Sequence, residues 1–355
     1  MKKKIITVFQ ILLAGALLTF LFYRMDNKGE LFDSLKIIAG NWPFLICAVI
    51  SVLMCLSFCA FRWKLLLDAQ EIKLSVWKVF ELYFIGHFFN AFMLGSVGGD
   101  LIKAFFVVKA APNKKTEAVT TIFMDRIIGL LALVALGTVI VLLRFQFFAS
   151  HTETRIAMAI IIAAFVGSVI GLFVVFRQNL LEKWAFFKRI EDTTKLGSLI
   201  GKIYTAFHIC FKKRGLLAST LAISLANHVS LVMCAFFLGL GLNIRTTIPD
   251  KQEVLPSLTA ETVTQEFGNY LTIFPIINGV AALPATPGGL GSRELATKIL
   301  MGIPEFNVPA TKSVPLSLLL YLSMIFWSLA GGIIYIAHAI RQGKFSAEDL
   351  EKLDS

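Results

Sequence analysis

Charged side chains that directly follow a glycine-rich break in apolar sequence are the residues of this chain best placed to do chemistry. The first break contains Gly98 and Gly99, and Asp100 and Lys103 follow it. A helix that starts after such a break points free N–H groups and a positive dipole end at its surroundings, an arrangement that suits phosphate. The pattern therefore predicts a polar binding site for a charged group.

The second break repeats this arrangement. It contains Gly288, Gly289 and Gly291, and Arg293 and Glu294 follow it. Glycine reaches positive φ and lets another backbone or a headgroup approach without an intervening Cβ, so we expect both turns to depend on it. A charge on the lipid face at mid-bilayer costs roughly 2.5–3.5 kcal/mol. The charged residues after the two breaks must therefore be paired or lie in water.

A third charged motif, Asp125-Arg126, lies one or two turns inside an apolar helix. Neighbours on a helix project about 100° apart, so these two side chains need not pair with each other. They either snorkel to the inner interface or face a polar cavity, and the sequence leaves both open. We expect Arg62 to be an anchor at the inner surface, and Asn227 and His228 to make interhelical hydrogen bonds.

The composition places the chain in a membrane. Hydrophobic residues make up 57% of it and charged residues 16%, against roughly 45–50% and about 25% in an average soluble domain. The formal net charge of +11 does not indicate nucleic acid, because lysine and arginine sit mainly at the ends of apolar stretches. The five cysteines show no Cys-x-x-Cys spacing. We expect an integral membrane protein without a metal, a cofactor or a nucleic-acid partner.

Six apolar stretches are long enough to cross the bilayer core, which takes roughly 17 to 25 helical residues. They lie at about residues 5–23, 44–66, 118–143, 156–176, 215–241 and 314–340. Two further apolar zones, at about 77–109 and 268–301, contain the glycine-rich breaks. The pattern predicts an all-α polytopic membrane protein with six full crossings and two re-entrant helical hairpins. We expect residues 1–355 to form a single integral membrane domain.

The distribution of lysine and arginine orients the chain, because these residues concentrate in cytoplasmic loops. It places both termini in the cytoplasm. The zone at about 77–109 then enters from the cytoplasm, and the zone at about 268–301 enters from outside. The basic segment at about 177–214 mixes aromatic and charged residues, which predicts an amphipathic helix on the inner leaflet. Hairpins that enter from opposite faces indicate an inverted repeat, which transporters use to hold substrate at mid-membrane.

Three motifs resemble the membrane region of the lysylphosphatidylglycerol synthase and flippase family. They are Gly98-Gly99-Asp100-Leu101, Asp125-Arg126-Ile-Ile-Gly129-Leu130 and Pro287-Gly288-Gly289-Leu-Gly291-Ser292-Arg293-Glu294. The resemblance implies a multi-pass protein of the bacterial inner membrane that moves an aminoacylated or otherwise modified phospholipid between leaflets. Together with the charge one turn into the first half-helix, it points to substrate-binding roles for Asp100, Lys103, Asp125, Arg126, Arg293 and Glu294.

The leading hypothesis is thus a flippase-like protein for a modified phospholipid or glycolipid, for example an aminoacylated phosphatidylglycerol. Lipid-synthesising members continue into a soluble aminoacyl-transfer domain, whereas this sequence shows only a short polar tail. We expect no synthase activity, and a separate lipid-modifying enzyme as a partner. Two alternatives stay open: a membrane-embedded transferase acting on a lipid-linked donor, and a secondary transporter of ions or small solutes. The sequence also leaves the oligomeric state open.

Overall fold

The computed structural model describes residues 29–92, 98–176, 213–247, 259–282 and 289–341, and these ranges contain helices and connecting turns without a strand. The helices are α1 (Gly29–Gly40), α2 (Trp42–Ala69), α3 (Val76–Phe92), α4 (Gly98–Ala110), α5 (Lys115–Leu143), α6 (Phe145–Ser150), α7 (Thr152–Phe176), α8 (Arg214–Gly241), α9 (Ala260–Ala282), α10 (Ser292–Met301) and α11 (Ala310–Arg341). A short 3₁₀ turn at Pro112–Lys114 precedes α5. The all-α prediction is confirmed for this part of the chain.

Five helical segments in the described ranges are long and apolar enough to cross a bilayer. They are Trp42–Ala69, Pro112–Leu143, Thr152–Phe173, Arg214–Gly241 and Ala310–Ala337. Each coincides with a predicted crossing. The remaining predicted crossing, at about 5–23, and nearly all of the basic segment at about 177–214 lie outside the described residues. Helix α1 was not predicted, because a search for long apolar runs misses a 12-residue helix of mixed polarity.

The first broken zone is two helices that fold back on each other. Gly86 of α3 and Gly99 of α4 are 13 positions apart, which would separate them by roughly 20 Å in one straight helix. A Cβ placed on Gly99 would instead lie 1.8 Å from the Gly86 carbonyl oxygen. The Asn90 side chain also accepts a hydrogen bond from the Gly99 N–H at 2.8 Å. Gly99 is thus required for close backbone approach, and the positive φ expected at this turn is found at neither Gly98 nor Gly99.

The second broken zone reverses in the same way between α9 and α10. Gly289 adopts φ of +74° and Gly291 of +85°, as expected for glycine turns. A Cβ on Gly289 would lie 2.7 Å from the carbonyl oxygen of Ala281, eight positions earlier. The chain therefore turns back between these residues. Gly288 lies outside the described residues.

Contacts between loops define the two ends of the helix bundle. At one end, which we call the Lys114 end, Lys114 donates to the Gln70 carbonyl at 3.0 Å and pairs with Glu71 at 2.8 Å. This hydrogen bond and the charge of Lys114 lower the pKa of the Glu71 carboxyl. At the other end, the Gly241 end, Asn41 donates to the Gly241 carbonyl at 2.7 Å.

The two helix pairs open at opposite ends of the bundle. The α3–α4 pair starts and finishes beside the loops that make up the Lys114 end. Helix α10 finishes just before Glu305, which forms an ion pair with His151 in the turn between α6 and α7. Helix α9 starts beside the loop that follows Gly241, where its Glu266 binds Thr246. The Asp100–Arg126 and Glu294–Ser317 contacts place the starts of α4 and α10 part way along α5 and α11.

Helix α11 runs past both helix pairs. The Trp327 indole of α11 donates to the Val49 carbonyl of α2 at 2.8 Å, and its ring meets Phe84 of α3 edge-on at 6.4 Å between centroids. Ser317 of the same helix bonds to Glu294 at the start of α10. This helix therefore packs against α3 of the first pair and against the start of α10 in the second.

Candidate functional site

Asp100 lies in the first turn of α4, between two cations. Its carboxylate is 2.9 Å from the Lys103 ammonium and 2.8 Å from Nε of Arg126 on α5. The Arg126 side chain is 47% exposed, whereas that of Asp100 is 18% exposed. Arg126 lies about 16 Å along α5 from its first residue, roughly half the thickness of a bilayer core. The cluster thus presents an accessible cation about 16 Å along α5 from Lys115.

Lys103 is held in an aromatic pocket. Its ammonium lies 4.7 Å from the ring centre of Tyr83 and 5.4 Å from that of Trp63. The alkyl stem crosses α3 at Gly86, where a Cβ would lie 2.6 Å from Cγ of Lys103. Cation–π contacts and the Asp100 carboxylate together compensate the buried charge. Lys103 therefore fixes the position of Asp100 from the buried side, and Arg126 contacts it from the exposed side.

Glu294 is buried in the first turn of α10 and is surrounded by donors. It accepts from the Gly291 N–H at 2.5 Å and from the Ser317 hydroxyl at 2.9 Å. Nε of Arg293 lies 3.5 Å from Oε1 of Glu294, the oxygen that also accepts from Ser317. Glu294 thereby satisfies a free N–H at the start of the helix, which fits its predicted proximity to the dipole end.

Arg293 is buried beside Glu294 and retains donor capacity. Its guanidinium lies 4.9 Å from the ring centre of Tyr321, and Nη1 lies 3.7 Å from Sδ of Met324. In the described part of the chain Nη2 is buried and has no hydrogen-bond partner. Since an unpaired charged donor is costly to bury, this nitrogen is suited to an anionic group entering the space beside α11.

Met324 connects the two helix pairs. Its carbonyl lies 3.2 Å from Nε2 of His87 on α3, and its sulfur contacts Arg293 on α10. Met324 thus links α3 of the first pair to Arg293 at the start of α10. The sequence did not indicate this link, because a methionine inside an apolar helix looks like ordinary packing.

Asp125 belongs to a different cluster from Arg126. Its carboxylate accepts from Nε of Arg62 at 2.7 Å, and Nη1 of Arg62 donates to Ser224 at 2.8 Å. Both side chains of the ion pair are almost fully buried between α2, α5 and α8. The prediction that Arg62 is a surface anchor is wrong, because the guanidinium needs its buried partner. Asp125 and Arg126 diverge as their helical spacing requires.

Interhelical hydrogen bonds at Asn227 and His228 are confirmed. The Cys55 thiol donates to the Asn227 side-chain oxygen at 2.7 Å, and Nε2 of His228 lies 2.9 Å from the Gly129 carbonyl. These bonds continue the Arg62–Asp125 cluster along α8. A polar side chain at membrane depth was the signal for them.

A third buried acid, Glu266, was not singled out by the sequence. It accepts five hydrogen bonds from the backbone and hydroxyl groups of Thr246 and Thr247, at 2.6 to 3.1 Å. Asn269 donates to Thr246 and accepts from Arg144. This cluster ties the loop after α8 to α9 at the Gly241 end. Glu266 lies in the second turn of α9.

No group of three or more His, Cys, Asp or Glu side chains that could hold a metal ion occurs among the residues that the structure describes. The charged groups instead form pairs and triads of opposite sign. Such an arrangement can bind, orient and release a charged headgroup without covalent chemistry.

Comparison with known proteins places these residues in a family context. A family model described as "Lysylphosphatidylglycerol synthase TM region" matches residues 7–251. The chain is also similar to UPF0104 membrane protein PH1989 of Pyrococcus horikoshii, with 26% identity over 318 residues that cover 82% of this chain and 86% of that protein. No solved structure matches the chain. Asp100 and Arg126 lie within the family match, whereas Arg293 lies beyond it.

Proposed function

This chain belongs to the lysylphosphatidylglycerol synthase transmembrane-region family, and we propose that it is a flippase-like protein that moves the headgroup of a modified phospholipid or glycolipid between leaflets. An aminoacylated phosphatidylglycerol is the example that the family suggests. The single observation that carries the proposal is the placement of two glycine-turn helix pairs, open at opposite ends, against one stretch of α11. His87 of the first pair and Arg293 of the second meet that stretch at Met324.

In this proposal the two helix pairs are re-entrant hairpins related by an inverted repeat. Non-helical backbone at membrane depth leaves amide groups unsatisfied, so it persists only where it is buried or lines a wet cavity. Asn90 and Glu294 satisfy such groups beside Gly99 and Gly291. The two turns then line a path along which a polar headgroup crosses while its acyl tails stay in lipid.

The two charged clusters differ in accessibility, which suggests alternating access. The Asp100–Arg126 pair is partly exposed, whereas the Arg293–Glu294 pair is almost fully buried. A headgroup phosphate would first meet Arg126 and would reach Nη2 of Arg293 only after α10 or α11 moves. The described arrangement then corresponds to a state open toward the first cluster and closed at the second.

The membrane orientation follows from the proposed function together with the charge pattern. The Lys114 end would face the cytoplasm, because the basic loops lie there, and both chain termini would lie on the same side. The protein would span the bacterial inner membrane with six crossings. A separate lipid-modifying enzyme would supply the modified headgroup.

Reconstitution in vesicles tests the proposal. Fluorescent headgroup-bearing lipid is placed in both leaflets, and the fraction that becomes accessible to an external quencher is followed with time. We expect the wild-type protein to accelerate exchange, and Asp100→Asn and Arg293→Gln to reduce the rate at least tenfold because each removes one charge of a cluster. Asp33→Asn, at an exposed ion pair with Lys36, serves as the matched charge control.

The outcome separates the site from the function. Equal rates for wild-type and empty vesicles, with correctly inserted protein, would refute lipid translocation. Normal rates in both cluster variants would refute the site while leaving translocation intact. Rates that fall equally in Asp33→Asn would indicate a nonspecific charge effect.

A further inference from the structure

The outward face of α4 carries an open groove. Leu101 is 64% exposed and Phe105 is 57% exposed. With Ala104 and Val108 they line a cavity of about 570 Å³ whose rim holds Lys109 and Lys115. The apolar wall suits the acyl chains of a phospholipid, and the cationic rim suits its anionic phosphate.

The groove connects the bundle end to the Asp100–Arg126 cluster. Leu101, Phe105 and Lys109 follow one another at intervals of four residues, so they share one helix face. The distance from Leu101 to Lys109 is about 12 Å along the axis. Asp100 lies in the first turn of the same helix and accepts a hydrogen bond from Arg126 of α5. A lipid lying in the groove would therefore have its headgroup region within one helix length of the candidate site.

The net charge of the outward face of α4 favours an anionic headgroup. On the exposed side of α4 and the first turns of α5, the cations Lys109, Lys115 and Arg126 stand against the carboxylates of Asp100 and Glu117, while Lys103 is buried. The remaining acid, Asp125, is neutralised by Arg62 on the buried side. The net charge of this face is therefore positive. The inner leaflet is rich in anionic lipid, which is attracted to such a basic surface.

We infer that this α4 groove is a docking site for an anionic phospholipid, with the acyl chain on Leu101 and Phe105 and the phosphate at Lys109 and Lys115. The inference extends the proposed function by naming the substrate class that enters at the Lys114 end. Docking itself requires no transport.

Photo-crosslinking in vesicles tests the site. A benzophenone amino acid replaces Phe105 in the full chain, reconstituted in equal amounts of phosphatidylglycerol and phosphatidylcholine, and crosslinked lipids are identified by mass spectrometry. Phe173 on α7 provides the matched position, because it is 58% exposed and lies in the last turn of a crossing at the same bundle end. We expect phosphatidylglycerol to be enriched about fivefold at position 105 relative to position 173, the effect of about one surface lysine.

Charge variants then assign the enrichment. Lys109→Gln with Lys115→Gln should bring the lipid ratio at position 105 down to that at position 173. Lys73→Gln with Lys213→Gln removes the same charge from exposed lysines at the same end, and should leave the enrichment in place. Equal ratios at both labelled positions, or enrichment that survives loss of Lys109 and Lys115, would overturn the inference.

The transport assay distinguishes this inference from the proposed function. Enriched crosslinking without any lipid translocation would support the docking site and refute the flippase. Translocation without enrichment would do the reverse.

Discussion

Loss of the Asp125 carboxylate should destabilise the protein through the charge that it leaves behind. In the wild type the carboxylate accepts from Nε of Arg62 at 2.7 Å, with both side chains almost fully buried. Asp125→Ala strands the guanidinium at membrane depth with only the Ser224 hydroxyl as a partner. Removing one member of a buried ion pair costs about 3–5 kcal/mol. We expect the free energy of unfolding to fall by that amount.

The double variant Arg62→Leu with Asp125→Leu supplies the matched control. It removes both charges and leaves no unpaired one, and replacement of a buried pair by apolar residues is often neutral or stabilising. We expect its unfolding free energy to lie within about 1 kcal/mol of the wild-type value. Reversible unfolding in mixed micelles, followed by circular dichroism, measures both variants.

Two results would refute this reasoning. Asp125→Ala could unfold with the wild-type free energy, which would mean that Arg62 is not held by the carboxylate. The double variant could show the same loss of unfolding free energy as Asp125→Ala, which would assign that loss to packing rather than to an unpaired charge.

Lipid transport by the double variant also decides the role of Asp125. Retained transport would assign it to the architecture, and abolished transport in a stable double variant would assign it to the substrate path.

Two further predictions concern residues that shape the helix pairs. Gly99→Ala should separate α3 from α4, because its Cβ would meet the Gly86 carbonyl at 1.8 Å, and we expect a cost of about 1–3 kcal/mol in the same unfolding assay. Gly167→Ala, where nothing lies within 4 Å, should change stability by less than about 0.5 kcal/mol, and equal losses in the two variants would contradict the close contact. In the wild type the donors of Thr246 and Thr247 share two carboxylate oxygens, and Glu266→Gln leaves only one oxygen for them. We therefore expect the free energy of unfolding to fall by about 1.5–3 kcal/mol and hydrogen exchange at the Thr246 amide to become faster. Unchanged exchange there would show that the acid does not hold the loop.

The sequence predicted most of the helices because bilayer thickness fixes their length. A run of about 20 apolar residues has few ways to satisfy its backbone in lipid other than a helix. The interruptions at Gly99 and Gly289 were visible for a related reason, since glycine and proline rarely interrupt such a run without a structural role. The family was recognised from the charged motifs around these glycines, and the match over residues 7–251 confirms it.

The partners of the charged residues could not be predicted in the same way. Arg62 looked like a surface anchor because arginine near a span end is usually one, yet its helix continues to Ala69 and places the guanidinium opposite Asp125. Pairing across 63 positions depends on how two helices are rotated about their axes. That rotation leaves no mark in either helix alone.

Local sequence determined that this chain is helical and apolar, and where its helices break, because these properties depend on each segment's own backbone and on bilayer thickness. Tertiary packing decided which charge meets which. Asp100 lies between Lys103 and Arg126, and Asp125 meets Arg62, because ion pairs form between helices whose relative rotation and depth are set by the whole bundle. The contacts of His87 and Arg293 with Met324 have the same origin, since α11 reaches both of them only after the chain has folded.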